Sequence, residues 1–278
     1  MGMILICFLT LLALATGCGR DSGDADVQVV ATTTIAADIA RHVTGPDAEV
    51  EALLPETAGP HDYAPSAKDR ALLEEADVVV AWGAGLEQGL PLDDLDKDPV
   101  ELAEGQENPH IWMDPELVAL SLPKLSRALA DTDPAHTDAY RDRAAQYVDE
   151  LARLDRQVRR TLRAIPSERR KLVSSHDSLG HFVRRYDFEF VGAPFGLAPE
   201  SEASAEKVVD LIERVEREDV PAVFAEDTDD PELMREIARE AGVEVVDDLL
   251  TEGFGDRVDG YEEMLRYDAE RIAGALAP

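Results

Sequence analysis

Between Asp133-Pro134 and Pro166 the sequence contains neither proline nor glycine, the two residues that most readily break a helix. Within that stretch Tyr140, Ala144, Tyr147, Leu151, Leu154, Val158 and Leu162 recur at steps of four and three. That spacing draws one apolar stripe along a helix whose other faces are charged. About 30 residues in one helix would extend about 45 Å, longer than most domain helices. The segment is therefore expected to run across more than one packing unit, as a linking helix over 133–166.

On either side, short apolar runs alternate with helical patterns. Before the long segment, strands are expected at Val27–Ala31, Glu49–Leu54 and Asp77–Trp82. Helices are expected at about Thr34–Val43, Ser66–Ala76 and Pro115–Ala130. Ser66 and Asp69 have capping-box spacing. After it, strands are expected at Lys171–Ser175, Glu189–Gly192, Pro221–Ala225 and Glu244–Asp247. The helices between and after them are Leu179–Tyr186, Ser204–Glu218, Pro231–Ala241 and Tyr261–Leu276. Alternation of this kind argues for parallel βα units. The expected class is α/β, with two similar lobes of parallel sheet, 27–132 and 167–278, joined by one long helix.

The first seventeen residues differ from the rest. Met1–Gly17 carries no charged side chain and is too short for a comfortable membrane span, but it fits a signal-peptide core. It ends Leu14-Ala15-Thr16-Gly17-Cys18, which resembles a lipobox, so Cys18 is expected to be lipidated and to begin the mature chain. A polar tether over 18–26 follows. The only other cysteine, Cys7, lies inside the expected signal. That leaves no disulfide framework and no cysteine-based zinc site, so any metal site must use histidine and carboxylates. Acids outnumber bases 59 to 27, giving a formal net charge of −32. Such a field repels phosphate backbones and excludes nucleic acid as a partner.

Of the six histidines, His42, His136 and His181 fall within helical patterns, where packed or solvated roles are the ordinary expectation. His61, His110 and His176 fall in loops beside element ends. In open α/β sheets the ligand crevice lies at the carboxyl ends of the strands. Asp247 and Asp248 close another expected strand, so three imidazoles and one carboxylate form a candidate site with two donors from each lobe. Glu226, at the end of its strand, is a candidate to orient a ligating imidazole.

Three runs carry a resemblance: His61-Asp62-Tyr63-Ala64-Pro65-Ser66, Asn108-Pro109-His110-Ile111-Trp112-Met113-Asp114-Pro115 and Ser175-His176-Asp177-Ser178-Leu179-Gly180. With Ala222–Glu226, Asp247-Asp248-Leu249-Leu250 and Tyr261–Leu265, they resemble the bacterial zinc/manganese solute-binding proteins that serve ABC importers. The likeness runs from Val27 to the end of the chain. It implies two α/β lobes bridged by a long helix, with the metal in the cleft between them. It also implies ligands at His61, His110 and His176 and an Asp after the last strand, Asp248 ahead of Asp247.

Three neutral imidazoles and one carboxylate suit Zn2+, whereas manganese, the alternative, prefers more oxygen ligands. Iron is a further alternative cargo. Ala84–Glu107, between the first two ligand histidines, has no histidine, although many zinc members of the family carry a His-rich loop there. The implied protein is a monomeric, lipid-anchored extracytoplasmic carrier, not an enzyme, that hands metal to a membrane permease. A zinc hydrolase would need an open coordination position, and the sequence has neither HExxH nor GxSxG. A surface adhesin is a third reading.

Overall fold

The computed structural model describes residues 27–56, 58–197, 203–226 and 230–278. The expected signal, Cys18 and the tether lie outside them. In chain order the first half comprises β1 (Gln28–Ala31), α1 (Thr34–Thr44), β2 (Glu49–Ala52), α2 (Ala67–Glu75), β3 (Val78–Ala81), β4 (Val100–Glu101) and α3 (Pro115–Thr132). α4 (Thr137–Leu162) crosses to the second half. There follow β5 (Lys171–Val173), α5 (Gly180–Arg185), β6 (Glu189–Gly192), α6 (Ala205–Arg217), β7 (Ala222–Glu226), α7 (Glu232–Ala241), β8 (Glu244–Leu249) and α8 (Tyr261–Leu276).

All strand pairs are parallel. The first lobe holds one sheet in the order β2-β1-β3-β4. Val78, Val79, Val80 and Ala81 of β3 are all buried, as a central strand covered on both faces requires. The second lobe is less regular, with β5-β6 and β7-β8 pairing as two separate two-stranded sheets. Register shifts interrupt both pairs, between Leu172 and Val173 and between Phe224 and Glu226. These shifts fall where β5 and β7 approach their carboxyl ends, the end that carries His176 and Glu226.

The long helix is shorter than the uninterrupted segment. A 3-10 turn at Pro134–His136 precedes α4, which has 26 residues and so a length of about 39 Å. Its buried face is the expected one: Tyr140, Ala144, Tyr147, Leu151, Leu154, Val158 and Leu162, with Asp155 among them. Asp155 is tolerated there because Arg159 and Arg185 donate to its two carboxylate oxygens. α4 packs on α1 and α3 from the first lobe and on α8 from the second. One apolar cluster runs through both lobes and α4, from Val27 to Leu276. Arg143 of α4 clamps the end of α1 by donating to the carbonyls of Val43 and Thr44 and to Asp47. Two lobes sharing one core across a rigid helix are poorly built for wide hinge motion.

Candidate metal centre

Each donor is delivered by a short loop at the carboxyl end of a strand. His61 lies between β2 and α2, in a turn-rich loop whose far side is fixed by the helix cap. Ser66 Oγ accepts from the Asp69 amide, Asp69 accepts from the Ser66 amide, and the Tyr63 hydroxyl donates to Asp69. His110 precedes a 3-10 turn and α3. Its ring is set by Asn108, whose Oδ1 lies 2.7 Å from His110 Nδ1 and also accepts the His110 amide at 2.9 Å. The Asn108 amide group reaches across the cleft to donate to the Asp177 carbonyl at 2.8 Å. His176 follows β5 in a serine-rich turn. Glu226, buried at the end of β7, grips that turn, accepting from the Ser175 amide and the Ser178 hydroxyl. Its Oε1 lies 3.7 Å from His176 Nδ1, beside the ring it was expected to orient.

The structure brings His61, His110 and His176 together, all buried. It brings neither Asp247 nor Asp248 to them, which corrects the expected fourth position. β8 continues through both aspartates to Leu249, two residues beyond the expected strand end. Asp248 instead accepts from the Tyr267 hydroxyl and from Arg271 Nε, both at 2.7 Å, and Asp247 pairs with Arg235 on the surface. The carboxylate that the structure places with the three imidazoles is Glu252, three residues past the strand. The Asp247-Asp248 pair, five and four residues earlier, is the more conspicuous acidic feature of the sequence. The available signal was an acid inside Thr251-Glu252-Gly253, a glycine-bearing turn that follows the strand's last apolar residues.

Three contacts hold Glu252 in place. Asp268 of α8 accepts the Leu250 amide at 2.9 Å, and Trp112 Nε1 donates to the Thr251 carbonyl at 2.6 Å. Gly253 passes so close to the His61 loop that a Cβ on it would stand 2.9 Å from the Glu56 carbonyl oxygen, so a side chain there would push the two loops apart.

The Nε2 atoms converge. His61 Nε2 lies 3.2 Å from His110 Nε2, and Glu252 Oε1 lies 3.3 Å from the Nε2 atoms of both His61 and His176. One donor atom from each of the four residues falls within 4.8 Å of the other three. A tetrahedron with metal–donor bonds of about 2.0 Å has edges of about 3.3 Å, so these separations fit a bound transition metal ion. Burial holds the His110 imidazole well below its ordinary pKa, aided by the neighbouring His176 and His61, so it offers a lone pair and not a proton at neutral pH. Burial pushes the Glu252 carboxyl up. Hydrogen bonds and charge from His176 and His61 outweigh that and hold it below the usual carboxylate range, in the ionised form a metal needs.

The remaining histidines are placed elsewhere. His181 is buried, with Nε2 2.8 Å from the Asn108 carbonyl, and His136 is an exposed partner of Asp133. His42 lies at the far end of α1. Among the described residues no helix is long and apolar enough to cross a membrane.

The family described as zinc-uptake complex component A, periplasmic, matches residues 29–275. The manganese ABC transporter substrate-binding lipoprotein PsaA of Streptococcus pneumoniae is 25% identical over 296 residues, covering 96% of this chain and 94% of that protein. The metal ABC transporter substrate-binding lipoprotein FimA of Streptococcus parasanguinis is 26% identical over 307 residues, covering 99% and 98%. Among solved structures, the periplasmic zinc binding protein TroA from Treponema pallidum superposes with a TM-score of 0.83 at 26% identity, over 91% of this chain and 99% of that one. Fe(III)-bound YtgA from Chlamydia trachomatis shares the fold, with a TM-score of 0.81 at 23% identity over 90% and 98% of the two chains. Two α/β lobes on a bridging helix, a buried cluster of donors between them and a match over nearly the whole described chain lead to one assignment: this protein belongs to the zinc-uptake component A family of metal ABC transporter substrate-binding proteins.

Proposed function

We propose that this chain captures Zn2+ outside the cytoplasm and passes it to the permease of an ABC importer, with His61, His110, His176 and Glu252 as the ligands. The observation that carries the reading is the convergence of three imidazole nitrogens and one carboxylate in a buried cluster. Nitrogen-rich, four-donor sets favour zinc, and manganese favours more oxygens and higher coordination. Four protein donors also fill a tetrahedral sphere and leave no position for a reactive water, which favours carriage over hydrolysis. Manganese is the second reading, supported by relatives named as manganese-binding lipoproteins. Competition calorimetry on demetallated protein separates the two. We expect one tight equivalent of zinc, displaced by manganese only at a hundredfold excess or more. Equal affinities would remove the zinc assignment.

The anchor forms part of the same reading. The lipobox-like run ending in Cys18, together with relatives named as lipoproteins, supports attachment to the membrane by a lipidated Cys18. Cys18→Ala is then expected to move the protein from the membrane fraction to the soluble extracytoplasmic fraction. Unchanged membrane attachment of that variant would contradict the anchor.

A further inference from the structure

Away from the cleft, a second set of donors meets where three helices touch. His42 lies in the last turn of α1, Glu150 lies within α4, and Glu262 lies in the first turn of α8. One donor atom from each falls within 4.8 Å of the other two, and all three residues are half-buried. The imidazole is held as ligating imidazoles commonly are. Its ring stacks on Tyr147, with centroids 4.0 Å apart and planes 13° from parallel. Nδ1 lies 2.9 Å from the Asp38 carbonyl oxygen, so the neutral ring donates there and keeps its lone pair on Nε2. The two glutamates face arginines on their own helices. Arg266 lies 3.1 Å from Glu262 and Arg153 lies 3.6 Å from Glu150. Each such pair is partly solvated and so contributes little energy against a divalent ion.

We propose that His42, Glu150 and Glu262 form a second divalent transition-metal site, with water completing the coordination sphere. The imidazole suits a first-row transition ion, and two carboxylates with water make the set richer in oxygen than the cleft, so it discriminates less between zinc and manganese; zinc serves as the probe. Three half-exposed ligands make the site weaker than the four buried ones in the cleft. Its place in the fold gives it a consequence. α1 belongs to the first lobe, α8 to the second, and α4 connects them, so an ion here ties both lobes to the connector. α1 also reaches the cleft, because the vacant Cβ position of Gly253 faces Thr34 Oγ1 at 3.9 Å. His42 is eight residues further along the same helix, about 12 Å away. Zinc bound at the joint would stiffen the packing on which any movement of the Glu252 loop against α1 depends.

Zinc titration of the demetallated full chain by calorimetry tests this. The unaltered protein is expected to bind one tight equivalent and a second at least tenfold weaker. Glu262→Gln and Glu150→Gln keep the side-chain shape, and each should abolish the weak class or weaken it a further tenfold or more while leaving the tight class intact. His42→Gln should do the same, with circular dichroism confirming that loss of the Tyr147 stack has not unfolded the helices. His176→Ala should do the reverse, weakening the tight class and sparing the weak one, so failure of the cleft assignment stays distinguishable from failure of this one. A single zinc class in the unaltered protein would overturn the proposal. So would a weak class that survives unchanged in the Glu150, Glu262 and His42 variants.

Discussion

Replacement of Glu252 by alanine is expected to weaken zinc binding at least a hundredfold, about 2.8 kcal/mol, while Asp248→Ala leaves it within a few-fold of the parent. Three neutral imidazoles leave a bound Zn2+ with its full charge in a buried site, which is costly without a compensating anion. Glu252 is the carboxylate at the converging Nε2 atoms, 3.3 Å from those of both His61 and His176. Asp248 serves a different structure, bonding Tyr267 and Arg271 on α8. Its removal should therefore appear in the unfolding midpoint and not in the metal isotherm. Calorimetric titration of both variants checks the ranking. The reverse ranking would move the carboxylate ligand back to the strand.

The largest effect on stability is expected at Trp112. Its indole is buried, packs on Trp82 with ring centroids 4.4 Å apart and meets the His110 ring edge-on at 5.0 Å. Trp112→Ala removes that packing and opens a cavity, a loss of about 3–5 kcal/mol. For a chain of this size that lowers the thermal midpoint by roughly 10 °C. The same indole donates to the Thr251 carbonyl, next to Glu252, so zinc affinity should fall as well. Trp112→Phe separates the two roles. It keeps most of the ring volume and loses only the N–H, so stability should fall less than in the alanine variant while the Glu252 turn still loosens. A thermal shift in Trp112→Ala below 2–3 °C, about the effect of 1 kcal/mol, would contradict this account of the packing.

The parts of the fold that were legible in the sequence are those governed by local period. The buried face of α4 follows from steps of three and four, and the capping box at Ser66 and Asp69 follows from side-chain chemistry within one turn. His61, His110 and His176 stood out because histidines in loops beside element ends coincide with the crevice of an α/β sheet. Glu252 was not legible for a physical reason. Asp247 pairs with Arg235 of α7, and Asp248 accepts from Tyr267 and Arg271 of α8, so both aspartates find partners from elements that the local pattern around them does not reveal. Opposite those aspartates the register slips between Phe224 and Glu226 on the neighbouring strand, so simple alternation along β8 does not decide which carboxylate faces the cleft. The division of the second lobe into two strand pairs was not legible either, because strand pairing is set by contacts between segments distant in sequence.

One metal ion is expected among His61, His110, His176 and Glu252. Zinc K-edge absorption spectroscopy on protein loaded with a single equivalent reads that coordination sphere directly. Three imidazole nitrogens and carboxylate oxygen are expected at about 2.0–2.2 Å, with no sulfur neighbour. In Glu252→Ala the three imidazoles should remain and the carboxylate signal should be lost. A spectrum with one imidazole or none, or with sulfur scattering that places the ion on Cys18, would contradict that placement.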